Sequence, residues 1–357
     1  LHLLHGQPVR LINFLCPAFF AVLVGAGALR SWQSTGGAGD FGDFDTTERL
    51  RWLALAGLPL LLAAVWTDRP LRFGLTLGAV LLAATLVEDA QQADDVLLRE
   101  RSFFCVIKVK RVGEYNELLH GTTLHGMQSR DQPAEPVSYY YNASPIADVM
   151  REQERRGAPT PLAVIGLGVG TMAAFGRPGQ EVDFYEIDAT MVRTARNAKL
   201  FTYLSDAERR GVKVDIVMGD GRLQIARAPD GRYGLICVDA FSSDAIPMHL
   251  LTREALDTYI RKLAPRGLVA FHISNRYLSL GPMLGNLAAD AKLAAVERYD
   301  NFAGVGQNNS HWVVMARERA DLGSLATDTE WTDVPSTPDG VRWTDDFSNL
   351  WRVYRRD

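Results

Sequence analysis

The sequence predicts an α/β fold: a doubly wound sheet, preceded by a small β unit and by apolar N-terminal helices. Three observations predict it. Short apolar runs, LAVIGLG, VDFYEID, VKVDIVMGD, YGLICVDAF and LVAFHIS, alternate with helical patterns, ATMVRTARNAKL, GRLQIARA and LTREALDTYIRKLA. Alternation of this kind means parallel strands with helices on both faces. Upstream, FFCVIKVKRVGEYNELLHGTTLHGMQ (103–128) alternates and is rich in β-branched and aromatic residues, as a small β-sheet does. Upstream again, charge vanishes from three stretches before Glu88.

In chain order, LINFLCPAFFAVLVGAGAL (11–29) carries no charge and is flanked by Arg10 and Arg30. It approaches the ~20 apolar residues that cross a bilayer. WLALAGLPLLLAAVWT (52–67) and FGLTLGAVLLAATLV (73–87) are shorter and joined by DRPLR, which predicts a spanning hairpin rather than two buried helices. The expected organisation is transmembrane helices over 1–90, a small β domain over 91–145 with its hairpin turn at Val112-Gly113-Glu114, and a doubly wound catalytic domain over 146–357. HWVVMARE (311–318) reads as a late strand, and 320–345 as an extended tail over the surface. The ending WTDDFSNLW follows no periodicity.

The bulk numbers bound function. At 357 residues there is room for two or three domains, and a chain starting on Leu1 reads as a fragment or a processed product. The formal charge of −4 gives no general reason to bind nucleic acid. Cys16, Cys105 and Cys237 are scattered, which suggests no disulfide framework and fits a reducing compartment. The seven histidines show no metal-ligand spacing, so no metal site is expected.

The chemistry gathers at strand ends. Gly166, Gly168 and Gly170 follow the first strand of the doubly wound part, where backbone must approach a ligand closely. Glu186 ends the second strand, placed to accept hydrogen bonds from both hydroxyls of a ribose. The third strand ends in Asp220-Gly221, which suits an adenine amine or simply an Asp-Gly turn. The glycine pattern is not a full GxGxxG, which favours a single nucleoside over a dinucleotide. The fourth strand delivers Asp239 in VDAFSSDAIPMHL, with Asp244 five residues on. Two acids there either cap a loop or hold and deprotonate an amine.

Together LHGTTLHGMQ, VIGLGVGT, FYEIDATMV, FTYLSD, VDAFSSDAIPMHLLTREAL, HISNRYL and WTDDFSN, spread over roughly 115–350, resemble the spermidine synthase (polyamine aminopropyltransferase) family, and more closely its membrane-fused bacterial branch. The resemblance implies a class I methyltransferase-like sheet, often in a homodimer. It implies polyamine biosynthesis, with decarboxylated S-adenosylmethionine as co-substrate, an amine such as putrescine as acceptor, and no tightly bound cofactor. By position it implies Gln128 and Glu186 holding the donor, Asp220 its adenine, Asp239 as catalytic residue, and Asp244 with Tyr140 or Tyr141 at the acceptor. It places the catalytic part on the cytoplasmic side of the inner membrane.

Two departures stand out. Val169 occupies a place where the family carries an acid facing the donor's amine, and the two acids are five residues apart rather than three. An S-adenosylmethionine methyltransferase and a non-catalytic polyamine- or nucleoside-binding membrane partner share the same motifs, and Val169 leans toward the first. For aminopropyl transfer, an alkylammonium with a pKa near about 10 must lose a proton before its nitrogen can attack. Asp239 is the expected general base and Asp244 the partner of the distal ammonium. Val169→Asp is then expected to favour the decarboxylated donor.

Overall fold

Strands and helices alternate from residue 162 onward in the order the sequence patterns imply. A computed structural model describes residues 69–92, 95–121, 123–241, 246–275, 277–301 and 304–355. The chain divides into two units, Leu1–Asp95 and Val96–Asp357. In the first, helix α1 (Pro70–Gln92) follows Arg69, with Pro70 at its first position, where the missing N–H costs nothing. Among the described residues no helix is long and apolar enough to cross a membrane, so the spanning expectation for 73–87 is not met there. The segments 11–29 and 52–67 lie outside the described residues.

The second unit opens with a four-stranded antiparallel meander: β1 (Val96–Arg101), β2 (Val106–Val112), β3 (Tyr115–His120) and β4 (Thr123–Ser129). The expected hairpin turn is present, with Gly113 at φ 55° between Val112 and Tyr115, which pair. Helix α2 (Pro145–Arg155) is capped by Ser144 and buries Ile146, Val149 and Met150 along one face. The large sheet follows: β5 (Leu162–Ile165), β6 (Glu181–Glu186), α3 (Ala189–Ala195), α4 (Tyr203–Arg209), β7 (Lys213–Met218), α5 (Gly221–Ile225), β8 (Tyr233–Val238), α6 (Arg253–Lys262), β9 (Leu263–His272), α7 (Gly281–Asp290), β10 (Ala294–Asp300), β11 (Ser310–Ala316) and β12 (Thr332–Asp333).

Its strand order is β12-β10-β11-β9-β8-β5-β6-β7. Strands β5 to β9 are mutually parallel, while β11 joins β9 antiparallel, and β10 and β12 continue that antiparallel edge. This mixed, doubly wound sheet is class I methyltransferase-like. The chain winds from β5 to β7 on one side, then returns to place β8 and β9 on the other. The switch point, where such sheets bind ligands, therefore lies at the carboxyl ends of β5 and β8. Their backbones interlock there, with Asp239 N–H donating to the Ile165 carbonyl at 2.9 Å.

The core explains the sequence pattern. β5 and β8 are buried at every residue, as strands covered on both faces must be. One apolar cluster runs continuously from Ile107, Val109 and Leu118 of the small sheet into Val164, Phe184 and Trp312 of the large one. The segment 320–345 is not the surface tail its composition suggests. Arg319–Ala326 forms short helical turns, and Trp331 and Trp343 are buried. Asp345 anchors the ending: it takes both guanidinium nitrogens of Arg222, at 2.6 and 2.7 Å, and the Thr252 hydroxyl at 2.8 Å.

Candidate functional site

Four loops meet at the carboxyl edge of the sheet. The turn after β5 bends three times through the left-handed region, with φ 101° at Gly166, 54° at Gly168 and 85° at Gly170. A Cβ on Gly166 would lie 2.4 Å from the Asp239 carbonyl oxygen, and one on Gly168 would lie 2.8 Å from the His125 carbonyl. These glycines are thus required by the protein's own backbone as well as by any ligand. A Cβ on Gly221 would meet Ile165 at 2.5 Å, so that glycine lets α5 start against β5.

Glu186 ends β6 and is 8% exposed. Its carboxylate accepts from Leu167 N–H in the glycine turn at 3.0 Å and from Asp188 N–H at 2.8 Å. Burial raises its carboxyl above the ordinary range, and the main-chain donors offset part of that. Glu186 therefore ties the glycine turn to the second strand while keeping lone pairs for further donors. Beside it, the Ser102 hydroxyl donates to Asp188 Oδ2 at 2.6 Å, which places the β1–β2 turn at this edge. Asp188 and burial both push the Cys105 thiol up, burial more strongly.

Asp220 caps α5, with Oδ1 accepting from Leu223 N–H at 2.9 Å. Its Oδ2 stands 3.0 Å from His249 Nε2 and the side chain stays partly open, so the cap leaves one face of the carboxylate available.

Asp239, immediately after β8, is held by two side chains. Tyr140 O–H donates to its Oδ2, and His272 Nδ1 lies 2.6 Å from its Oδ1. Tyr140 comes from the loop before α2. That loop is held by Ser138, whose N–H donates to the Gly306 carbonyl at 2.6 Å and whose φ of 63° is unusual for a residue with a side chain. His272 ends β9, the strand next to β8, so adjacent strand ends deliver both members of the pair. The histidine is 2% exposed and stacks on Trp312, ring centroids 4.5 Å apart and 6° from parallel. Periodicity did not single out His272. The available signal was a histidine ending an apolar run at the same sheet edge as Asp239.

Other expected residues are placed differently. Gln128 is buried and its carboxamide is occupied: it donates to the Pro133 carbonyl at 2.7 Å and the Thr202 hydroxyl at 3.0 Å, and accepts from Thr202 N–H at 2.8 Å. It fastens β4 to the start of α4. Tyr141 turns away from Asp239 and donates to Asp300 at 2.5 Å; burial first and Asp300 second push its hydroxyl up to about 12. Val169 is 1% exposed and packs against Gly126 of β4, whose added Cβ would lie 2.7 Å from it. It fills the joint between the sheets rather than facing a ligand. Asp244 lies outside the described residues.

No family model matches the chain. Among solved structures, a probable spermidine synthase from Corynebacterium glutamicum superposes with a TM-score of 0.49 at 16% identity, covering 68% of this chain and 96% of that one. Spermidine synthase from Thermotoga maritima gives 0.42 at 12% identity, covering 63% and 74%. A polyamine aminopropyltransferase from Vibrio vulnificus is 33% identical over 103 residues, 28% of this chain. The chain is thus similar in sequence to a polyamine aminopropyltransferase over a stretch spanning about a third (32%) of that protein's length.

Proposed function

We propose that the chain is an aminopropyltransferase that takes decarboxylated S-adenosylmethionine as donor and a diamine or related amine as acceptor. The observation that carries this reading is the setting of Asp239. It stands at the switch point, backbone against Gly166, with its carboxylate fixed from two sides by Tyr140 and His272. In this role Glu186 holds the ribose hydroxyls and Asp220 the adenine amine. Asp239 takes one proton from the acceptor ammonium. A C–N bond forms between that nitrogen and the aminopropyl carbon, the C–S bond breaks, and its electron pair leaves with sulfur as methylthioadenosine. The sulfonium is already a good leaving group, so positioning supplies much of the rate. Asp244 pairing with the distal ammonium belongs to the same proposal.

The test is direct. Purified protein with decarboxylated S-adenosylmethionine and putrescine should yield equal amounts of methylthioadenosine and spermidine, resolved by liquid chromatography. Methyl transfer from ordinary S-adenosylmethionine, with no aminopropyl product from any amine, would overturn the reading. That alternative draws on the uncharged, buried Val169, which leaves the glycine turn without an acid for the donor's ammonium. Anchoring in the inner membrane through the charge-free segments 11–29 and 52–67, with the remainder in the cytoplasm, is a separate proposal. Full-length protein released by carbonate would contradict it.

A further inference from the structure

The surroundings of His272 go beyond what the proposed reaction requires of a base. Its Nδ1 is 2.6 Å from Asp239 Oδ1, and its Nε2 is 2.7 Å from the Ser274 hydroxyl. The Ser274 oxygen in turn accepts from the main-chain N–H of His311 at 2.9 Å. An ionised carboxylate can only accept, so the Asp239 end decides what Nδ1 must do, while the Ser274 oxygen accepts from the His311 amide and keeps its own hydrogen. A bare Nδ1 at 2.6 Å from Oδ1 would set two acceptors against each other. A hydrogen on Nδ1 therefore points at Asp239, and in the neutral ring Nε2 is then the acceptor for the Ser274 hydroxyl. The ring has little freedom to leave this arrangement. It lies flat on Trp312, and the rings of Tyr139 and Phe241 approach it with centroids 5.1 Å away.

We infer that His272 is a positioning residue: backed by Ser274 and the His311 amide, it locks the rotamer of Asp239 so that the second carboxylate oxygen stays beside Tyr140, where the acceptor amine gives up its proton. The inference rests on the proposed amine-transfer reading and adds to it a residue that neither touches the donor nor takes the proton. The arrangement links three neighbouring strands of one sheet, since Asp239 follows β8, His272 ends β9, and His311 lies on β11 beside it.

Two side-chain replacements separate position from packing. His272→Phe keeps a flat ring on Trp312 and removes the donor. His272→Asn gives up the ring but can present an N–H where Nδ1 stood. His272→Phe is expected to lower kcat on the order of 100-fold, the cost of a reacting group displaced by about an ångström, with methylthioadenosine affinity within about twofold of the parent. His272→Asn is expected to recover about tenfold of that loss. Nitrogen-15 spectra of histidine-labelled parent protein should show His272 in the Nδ1–H form, and Ser274→Ala should lower kcat while leaving acceptor KM in place. The inference is overturned by an Nε2–H tautomer in the parent, by a His272→Phe variant with kcat within twofold of the parent, or by equal loss in the Phe and Asn variants. If His272→Phe does not fold, the tautomer and Ser274→Ala decide. A parent that transfers no aminopropyl group to any amine fails the proposed reaction itself. A parent that does, alongside an unimpaired His272→Phe, fails this inference alone.

Discussion

Glu186 and Asp239 both follow apolar strands, yet their surroundings divide the work between them. Asp239 is met by two side-chain donors, Tyr140 and His272, whereas Glu186 is met by main-chain N–H groups and by burial. Asp239→Asn is nearly isosteric but is no base. It is expected to lower kcat by about 100-fold to 10,000-fold while methylthioadenosine binds as before, checked by turnover assays alongside calorimetry. For Glu186 the raised carboxyl sets a pH dependence. In the proposed role, ribose hydroxyls would donate to the ionised form, so nucleoside binding is expected to be complete above the free site's pKa and lost as pH falls through it. That loss should begin at higher pH than for an ordinary glutamate at about 4.3. Titrations of methylthioadenosine across acid pH should show it, and Glu186→Gln should bind about 1–3 kcal/mol more weakly with a flat profile.

At the scale of elements, the ending of the chain behaves as part of the site's scaffold. Asp345 clasps Arg222 of α5 and the Thr252 cap of α6, next to the Asp220 cap and His249. The Arg222 hydrogen bonds hold the Asp345 carboxyl below its ordinary range. Its stabilising effect is therefore present above the unfolded pKa, near 3.9 for aspartate, and is lost as pH falls through the lower folded value. Asp345→Asn is expected to cost about 0.5–1 kcal/mol at neutral pH after solvent screening, with the gap to the parent closing below about pH 4 in thermal melts.

The same elements show what the sequence could and could not reveal. The parallel strands and their acidic or glycine ends were legible because each is a local pattern: β8 is a continuous apolar run that stops on Asp239. The partners of Asp239 were not legible, since Tyr140 and His272 reach it only through the crossover order of the sheet. The ending was misread because its polar composition hides Trp331 and Trp343, two buried anchors in an otherwise exposed-looking stretch. The surroundings of Gln128 and Val169 were hidden from the sequence for a related reason. Position relative to a motif does not say which way a side chain turns: Gln128 bonds Thr202 at the start of α4, and Val169 packs on Gly126 between the sheets.

Across the second unit, that joint decides how the two sheets behave. Val169 sits in the cluster shared by both, pressed on Gly126 where only a glycine leaves room. Val169→Asp thus puts a carboxylate into a dry core instead of adding a charge to the donor pocket. It should destabilise the fold by about 3–5 kcal/mol, read as a shifted urea midpoint, and leave donor preference unchanged in the molecules that fold. A large gain in preference for the decarboxylated donor with unaltered stability would show that the side chain faces the ligand after all. Because the core is continuous, parent and variant should each unfold in one transition whether followed from the small sheet or the large one.

The contact between Gly166 and the Asp239 carbonyl carries this further. Two loops that touch backbone to backbone leave no room for a side chain between them, so in the proposed reaction a donor seated on the first is expected to bear on the acceptor at the second. In linkage terms, whatever factor donor occupancy adds to acceptor affinity, acceptor occupancy must return to the donor. In the proposed reaction, order of binding is then a matter of rates and concentrations, because the coupling between donor and acceptor is one quantity read in either direction.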